Sequence, residues 1–157
     1  MPATSRPSPS LFALSFIACT ACALFPAQAT PPAAAQCSRI ADVDLDYEVA
    51  HDGARLLFTR RGERIEVAAG AVANADGRWT TATAAGYHAD LQRFLDTSTA
   101  VAEQARPLTK LLRGPTPELA RAALDVCGAV LALAESTQAI EAAAPGFRSP
   151  VRIRLDE

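Results

Sequence analysis

The chain has 157 residues, half of them hydrophobic, with 15 basic and 17 acidic side chains and a formal net charge of −2. That length suits one domain, and the charge balance lacks the basic surplus of a nucleic-acid-binding surface. Nearly all basic residues are arginine, Lys110 being the sole lysine. With the alanine-rich composition, this reads as a GC-rich bacterial coding bias and not as a polyanion partner.

The first predicted element is a leader. "MPATSRPSPS" carries Arg6 and no acid, "LFALSFIACTACALF" is an apolar run, and Pro26 precedes the small-x-small triplet that ends at Ala29. These are the three parts of a secretory signal peptide, and the run is shorter than the roughly 20 apolar residues that span a bilayer. Cleavage is expected after Ala29, or after Ala35 at the second small triplet, which removes residues 1–29 and leaves a periplasmic or secreted chain without a transmembrane segment. The alternative is a lipoprotein anchored at Cys19. "FIAC" has Phe16 where such a box prefers leucine, and the chain stays apolar beyond the cysteine. Cys19 and Cys22 have redox-pair spacing, but a discarded leader offers no folded helix N-terminus to activate a thiol.

Cys37 and Cys127 then remain. In an oxidising compartment two cysteines have one possible pairing, and a Cys37–Cys127 disulfide closing a loop of roughly 90 residues would contribute roughly 4 kcal/mol through chain entropy. Sequence sets no distance between the two, so a pair of separate thiols stays open.

Residues 30–36 form a Pro/Ala tether, expected to be mobile, and residues 37–157 a single domain. "DVDLDYEVA" alternates Val43, Leu45, Tyr47 and Val49 with Asp42, Asp44, Asp46 and Glu48, the period of a half-buried strand. Asp52-Gly53 is a two-residue hairpin signal. Used as the central pair, it sets Val49 opposite Leu56, Tyr47 opposite Phe58 and Asp44 opposite Arg61. Arg61-Gly62 as the next turn sets Phe58 against Ile65, Leu56 against Val67 and Arg60 against Glu63, which cross-strand pairing favours over the neighbouring register. A weaker strand pair surrounds Asp76-Gly77.

From about Ala82 the period becomes helical, with Tyr87, Leu91, Phe94, Leu95, Val101, Ala102, Ala105 and Leu108 on one stripe. Pro107 should kink or end that helix, and Gly114 closes the segment. Thr116 as N-cap, Pro117 in the first turn and Glu118 at the positive dipole end open a second helix. Its apolar residues are Leu119, Leu124, Cys127, Val130, Leu131, Ala134 and Ile140, and "PGF" at 145–147 ends it. "VRIRLDE" alternates again, with Val151, Ile153 and Leu155 inward and Arg152 and Arg154 outward. The predicted class is α+β: an antiparallel meander of about four strands, a two-helix hairpin packed on one face, and a C-terminal edge strand.

A cysteine before "DLDYEV", the hairpin "RLLFTRRGERIEV", the "DGRW" turn and a helix with "GYHADLQRFL" resemble, in that order, the YggN-like bacterial envelope proteins, an exported family of unknown function. The similarity covers about residues 37–106. It implies a periplasmic location and brings no catalytic residues to carry over.

Few residues form a chemical constellation. His51 and His88 are the two histidines, and His88 and Asp90 would point to different sides of a helix, short of the three or four ligands a metal needs. No serine lies in a G-x-S-x-G turn, and Cys127 is predicted inside a helix, away from the electropositive terminus that would activate a thiol. No cofactor is expected. Arg55, Arg60, Arg61, Arg64 and Arg78 fall near hairpin ends and form a candidate anion patch, set against ordinary surface charge interleaved with Asp52, Glu63 and Glu66. Two functions follow. One is a non-catalytic envelope module that binds a protein or another envelope component; the other is a small periplasmic hydrolase using the first-strand carboxylates Asp44, Asp46 and Glu48.

Overall fold

A computed structural model of the protein describes residues 35–52, 54–74, 77–79, 82–111 and 116–156. The expected leader with Cys19, residues 30–34 of the expected tether, Gly53, Asp76 and Gly114 lie outside the described residues. The protein is α+β. A five-stranded antiparallel meander runs in the order β2 (Glu48–Asp52), β3 (Arg55–Arg60), β4 (Glu63–Ala68), β5 (Ala71–Asn74), β6 (Gly77–Trp79), and a separate two-stranded sheet pairs β1 (Ile40–Leu45) with β7 (Val151–Leu155). Two helices, α1 (Ala82–Leu111) and α2 (Pro117–Ala143), pack on each other, and α1 lies against β4 and β5.

The β3–β4 turn has Arg61 at φ 46° and Gly62 at φ 89°, the positive pair that a two-residue hairpin needs. The register is the one cross-strand pairing favours: Phe58 opposite Ile65, Leu56 opposite Val67, Arg60 opposite Glu63. The preceding register differs from expectation. Asp52 pairs with Arg55, so Val49 lies opposite Phe58 and His51 opposite Leu56. Asp52 is thus a strand residue and not the turn residue expected, and the two-residue shift keeps every side chain on its expected face. Asn74 lies opposite Gly77, so Gly77 too is a strand residue and not the turn residue expected.

The expected first strand is two strands. Alternation runs unbroken from Val43 to Val49, yet the chain leaves one ladder at Leu45 and joins another at Glu48. Asp44 therefore meets Arg152 on β7 and not Arg61. Leu56, Phe58, Ile65, Val67 and Val72 from the meander join Tyr87, Leu91, Phe94 and Val101 from α1 and Leu119, Val130, Leu133 and Ile140 from α2 in one core.

Helix α1 continues through Pro107 to Leu111. The ring costs one backbone bond close to the helix end, and Pro107 is exposed, so the core need not repack around it. Thr116 caps α2, its Oγ1 accepting from Leu119 N at 3.2 Å. The Glu118 backbone amide, followed by the Thr116 hydroxyl, holds the Glu118 carboxyl below its usual range. Gly146, at φ 104°, lies in the turn after α2. Cys37, in a helical turn at 35–37, is disulfide-bonded to Cys127 on α2, with Cα atoms 5.6 Å apart. Among the described residues no helix is long and apolar enough to cross a membrane.

Candidate functional site

The break at Asp46-Tyr47 shapes a cavity. β7 pairs with the chain before the break and β3 with the chain after it, which leaves a gap between β7 and the tip of the β3–β4 hairpin. The gap is a cleft of about 930 Å³. Its walls are β7, the hairpin tip from Arg60 to Ile65, and the last turns of α2 at Ala134, Thr137, Gln138 and Glu141.

At the hairpin wall Arg60 donates to Asp46 Oδ2 at 3.2 Å and to Glu63 Oε2 at 3.0 Å. Its guanidinium carbon stands 4.6 Å from the Tyr47 ring centroid, within cation–π range. The Tyr47 hydroxyl donates to the same Glu63 oxygen at 3.0 Å. Partial burial, followed by the bond to Glu63, raises the Tyr47 pKa. The Tyr47 and Arg60 hydrogen bonds hold the Glu63 carboxyl below its usual range. Bonds from Glu63 and Asp46 in turn raise the guanidinium of Arg60. This knot is suited to fixing charge in place and not to moving a proton.

Where the chain enters β7, a hydroxyl pair, the buried Tyr87 and the half-buried Ser149, secures it. The Tyr87 hydroxyl donates to Ser149 Oγ at 3.0 Å, while Ser149 Oγ donates to Val151 O at 2.8 Å and accepts from Val151 N at 3.2 Å. Burial drives the Tyr87 pKa well above that of a free phenol. Phe147 packs edge-on against Tyr87, with centroids 5.5 Å apart. On the helical wall Thr137 Oγ1 is buried without a hydrogen-bond partner in the described structure.

Of the five arginines singled out from sequence, the structure brings Arg60 and Arg64 into the cleft. Arg55 sits at the far end of β3, paired with Asp52 and Glu66. Arg61 is exposed in the hairpin turn, and Arg78 is on β6, with a side chain outside the described residues. Arg39, Arg148 and Arg152 join the cleft from three other segments. Sequence offered a signal only for Arg152, whose outward position follows from the alternation of the last strand.

The acidic row is divided. Asp42 and Asp44 lie on β1 opposite Arg154 and Arg152, with Arg152 donating to Asp44. Asp46 lines the cleft and is bound by Arg60, and Glu48 is exposed on β2. His51 is exposed on β2, while His88 Nε2 lies 3.0 Å from Ala54 O and ties α1 to the β2–β3 turn. No cluster of three or more His, Cys, Asp or Glu suited to a metal occurs among the described residues. No protein-family model, curated protein or solved structure matches this chain.

Proposed function

We propose that the protein is an exported, non-catalytic binding module of the bacterial envelope, and that the cleft between β7, the β3–β4 hairpin and α2 receives its partner. The observation that carries this reading is the cleft's stock of uncommitted guanidinium donors. The Arg39 guanidinium makes no hydrogen bond or ion pair among the described residues, that of Arg148 donates only to Phe147 O at 3.2 Å, and that of Arg64 has one long ion pair, 3.7 Å from Glu66. Guanidinium groups with donors to spare are suited to polar recognition. Export is supported by the leader pattern and by a disulfide that needs an oxidising compartment. It is also what the YggN-like resemblance implies.

A photocrosslinking residue at Gln138, in the cleft, compared with one at Arg121, exposed elsewhere on α2, tests the assignment in living cells. A discrete adduct from position 138 and none from 121 is expected. Equal labelling at both positions, or none at 138, would overturn it.

A further inference from the structure

We infer that the free edge of β7 takes up an extended acidic peptide as an added strand. This rests on the cleft being the binding site and names what enters it. In an antiparallel pair, successive residues direct their N–H and C=O groups alternately toward the partner and away from it. Two independent contacts set that phase for β7. Asp156 N donates to Arg39 O at 2.8 Å, so Asp156 faces the β1 side. Val151 has both its N–H and its C=O bonded by the Ser149 hydroxyl, so its groups face the other side. Ile153 and Leu155 share the phase of Val151 and line the cleft. Their outward N–H and C=O groups make no hydrogen bond among the described residues. Ser149 caps the first position of this edge as a neighbouring strand would, and the next two positions are open.

The side chains of β7 specify the added strand. Arg152 and Arg154 are exposed on one face, opposite Asp44 and Asp42 of β1, while Ile153 lies opposite Val43 on the other. A strand on the free side would meet the same two arginines and the same apolar row, and opposite-charge and apolar pairs stabilise such contacts. The fitting segment therefore alternates acidic with apolar residues, as β1 does. Arg39, Arg64 and Arg148 around the cleft outnumber Glu141 and Asp156, its two carboxylates without an ion pair among the described residues. Residues 30–34 of this chain, "TPPAA", have no acid and two prolines without an N–H, so the tether is chemically unsuited. Because the edge is recessed between a hairpin and a helix, it accepts one strand and does not template an open-ended sheet.

The test uses the mature chain, residues 30–157, with its disulfide intact. The probe is the capped hexapeptide Thr-Val-Asp-Leu-Asp-Val, with a second peptide carrying lysine in place of both aspartates. The aspartate peptide is expected to bind saturably, shift the amide signals of Ile153 and Leu155 and slow their hydrogen exchange. The lysine peptide should bind at least about tenfold more weakly. N-methylation of one alternate set of peptide amides should abolish binding, while methylation of the other set leaves it within about threefold, because only one edge of the peptide meets β7. Equal binding of the two charge variants, equal effects of the two methylation patterns, shifts confined to another surface, self-association of the protein through this edge, or no binding at millimolar peptide would each overturn the inference. If the peptide fails while Gln138 still yields its cellular adduct, the added strand is refuted and the cleft stands as the site.

Discussion

Phe58 is the most direct handle on how the meander faces the helices. Its side chain is fully buried, opposite Val49 on one side and Ile65 on the other, in the core that includes Tyr87 and Leu91 of α1. Phe58→Ala removes a whole ring from a site with no solvent access, and such truncations cost about 3–5 kcal/mol. Its neighbour Leu57 points to the opposite face, half-buried beside Ala50 and Glu66, so Leu57→Ala should cost about 1 kcal/mol. Asp46→Ala removes a side chain that is 61% exposed and leaves Arg60 bonded to Glu63, which places its effect at about 1 kcal/mol or less. Urea unfolding under non-reducing conditions measures all three. With a slope of about 1–3 kcal/mol/M, Phe58→Ala should move the midpoint by more than about 1 M, and the other two variants by a fraction of that. A loss at Leu57 or Asp46 equal to that at Phe58 would refute the assignment of faces.

The remaining expectations concern the staple, the phenols and the leader. Protein purified from the periplasm should gain no mass on alkylation without reductant, and Cys37→Ser with Cys127→Ser should lower stability by roughly 4 kcal/mol; two alkyl groups on the native protein would contradict the first. The two tyrosines should titrate apart, Tyr47 above the free-phenol range in the native state and Tyr87 only as the protein unfolds. Since both folded-state pKa values are raised, their contribution to stability is full below the unfolded value of about 10 and falls as pH rises above it. An ultraviolet titration showing two native-state ionisations near pH 10 would disprove the burial of Tyr87. N-terminal sequencing of the exported protein should begin at Thr30 or Gln36, whereas a diacylated Cys19 would establish the lipoprotein alternative.

Those tests bear on features of differing legibility. The β3–β4 hairpin could be read to the residue because two local constraints agreed there: a turn needing positive φ and a charge pair across it. At Asp52-Gly53 the turn chemistry was equally suggestive, yet Asp52 is paired with Arg55 on the strand, so the local signal alone gave a register two residues off. The change of partner at Asp46 left no mark at all. Period two reports which face a residue occupies and not which strand lies beside it, so alternation runs smoothly through Tyr47 while the pairing changes. For the same reason the last strand was recognisable as a strand, yet its place beside β1 was not.

The cleft is a product of that unmarked change. If β1 and β2 had remained one strand beside β3, Arg152 would have had no aspartate to meet and β7 would have had no recessed edge. Arg39 is more than 100 residues from Arg148 and Arg152 in the chain, and nothing local distinguishes Arg39 or Arg148 from other surface arginines. The disulfide adds the remaining constraint. Cys37 lies two residues before Arg39 and three before β1, and Cys127 lies on the helix whose last turns form the third wall. The cross-link therefore ties the small sheet to α2 at the same end as Arg39. A covalent bond can hold two thin elements a fixed distance apart, where a two-stranded sheet alone is only marginally stable. The cysteine pairing that sequence offered as a stabilising staple thus also bears on the geometry of the cleft.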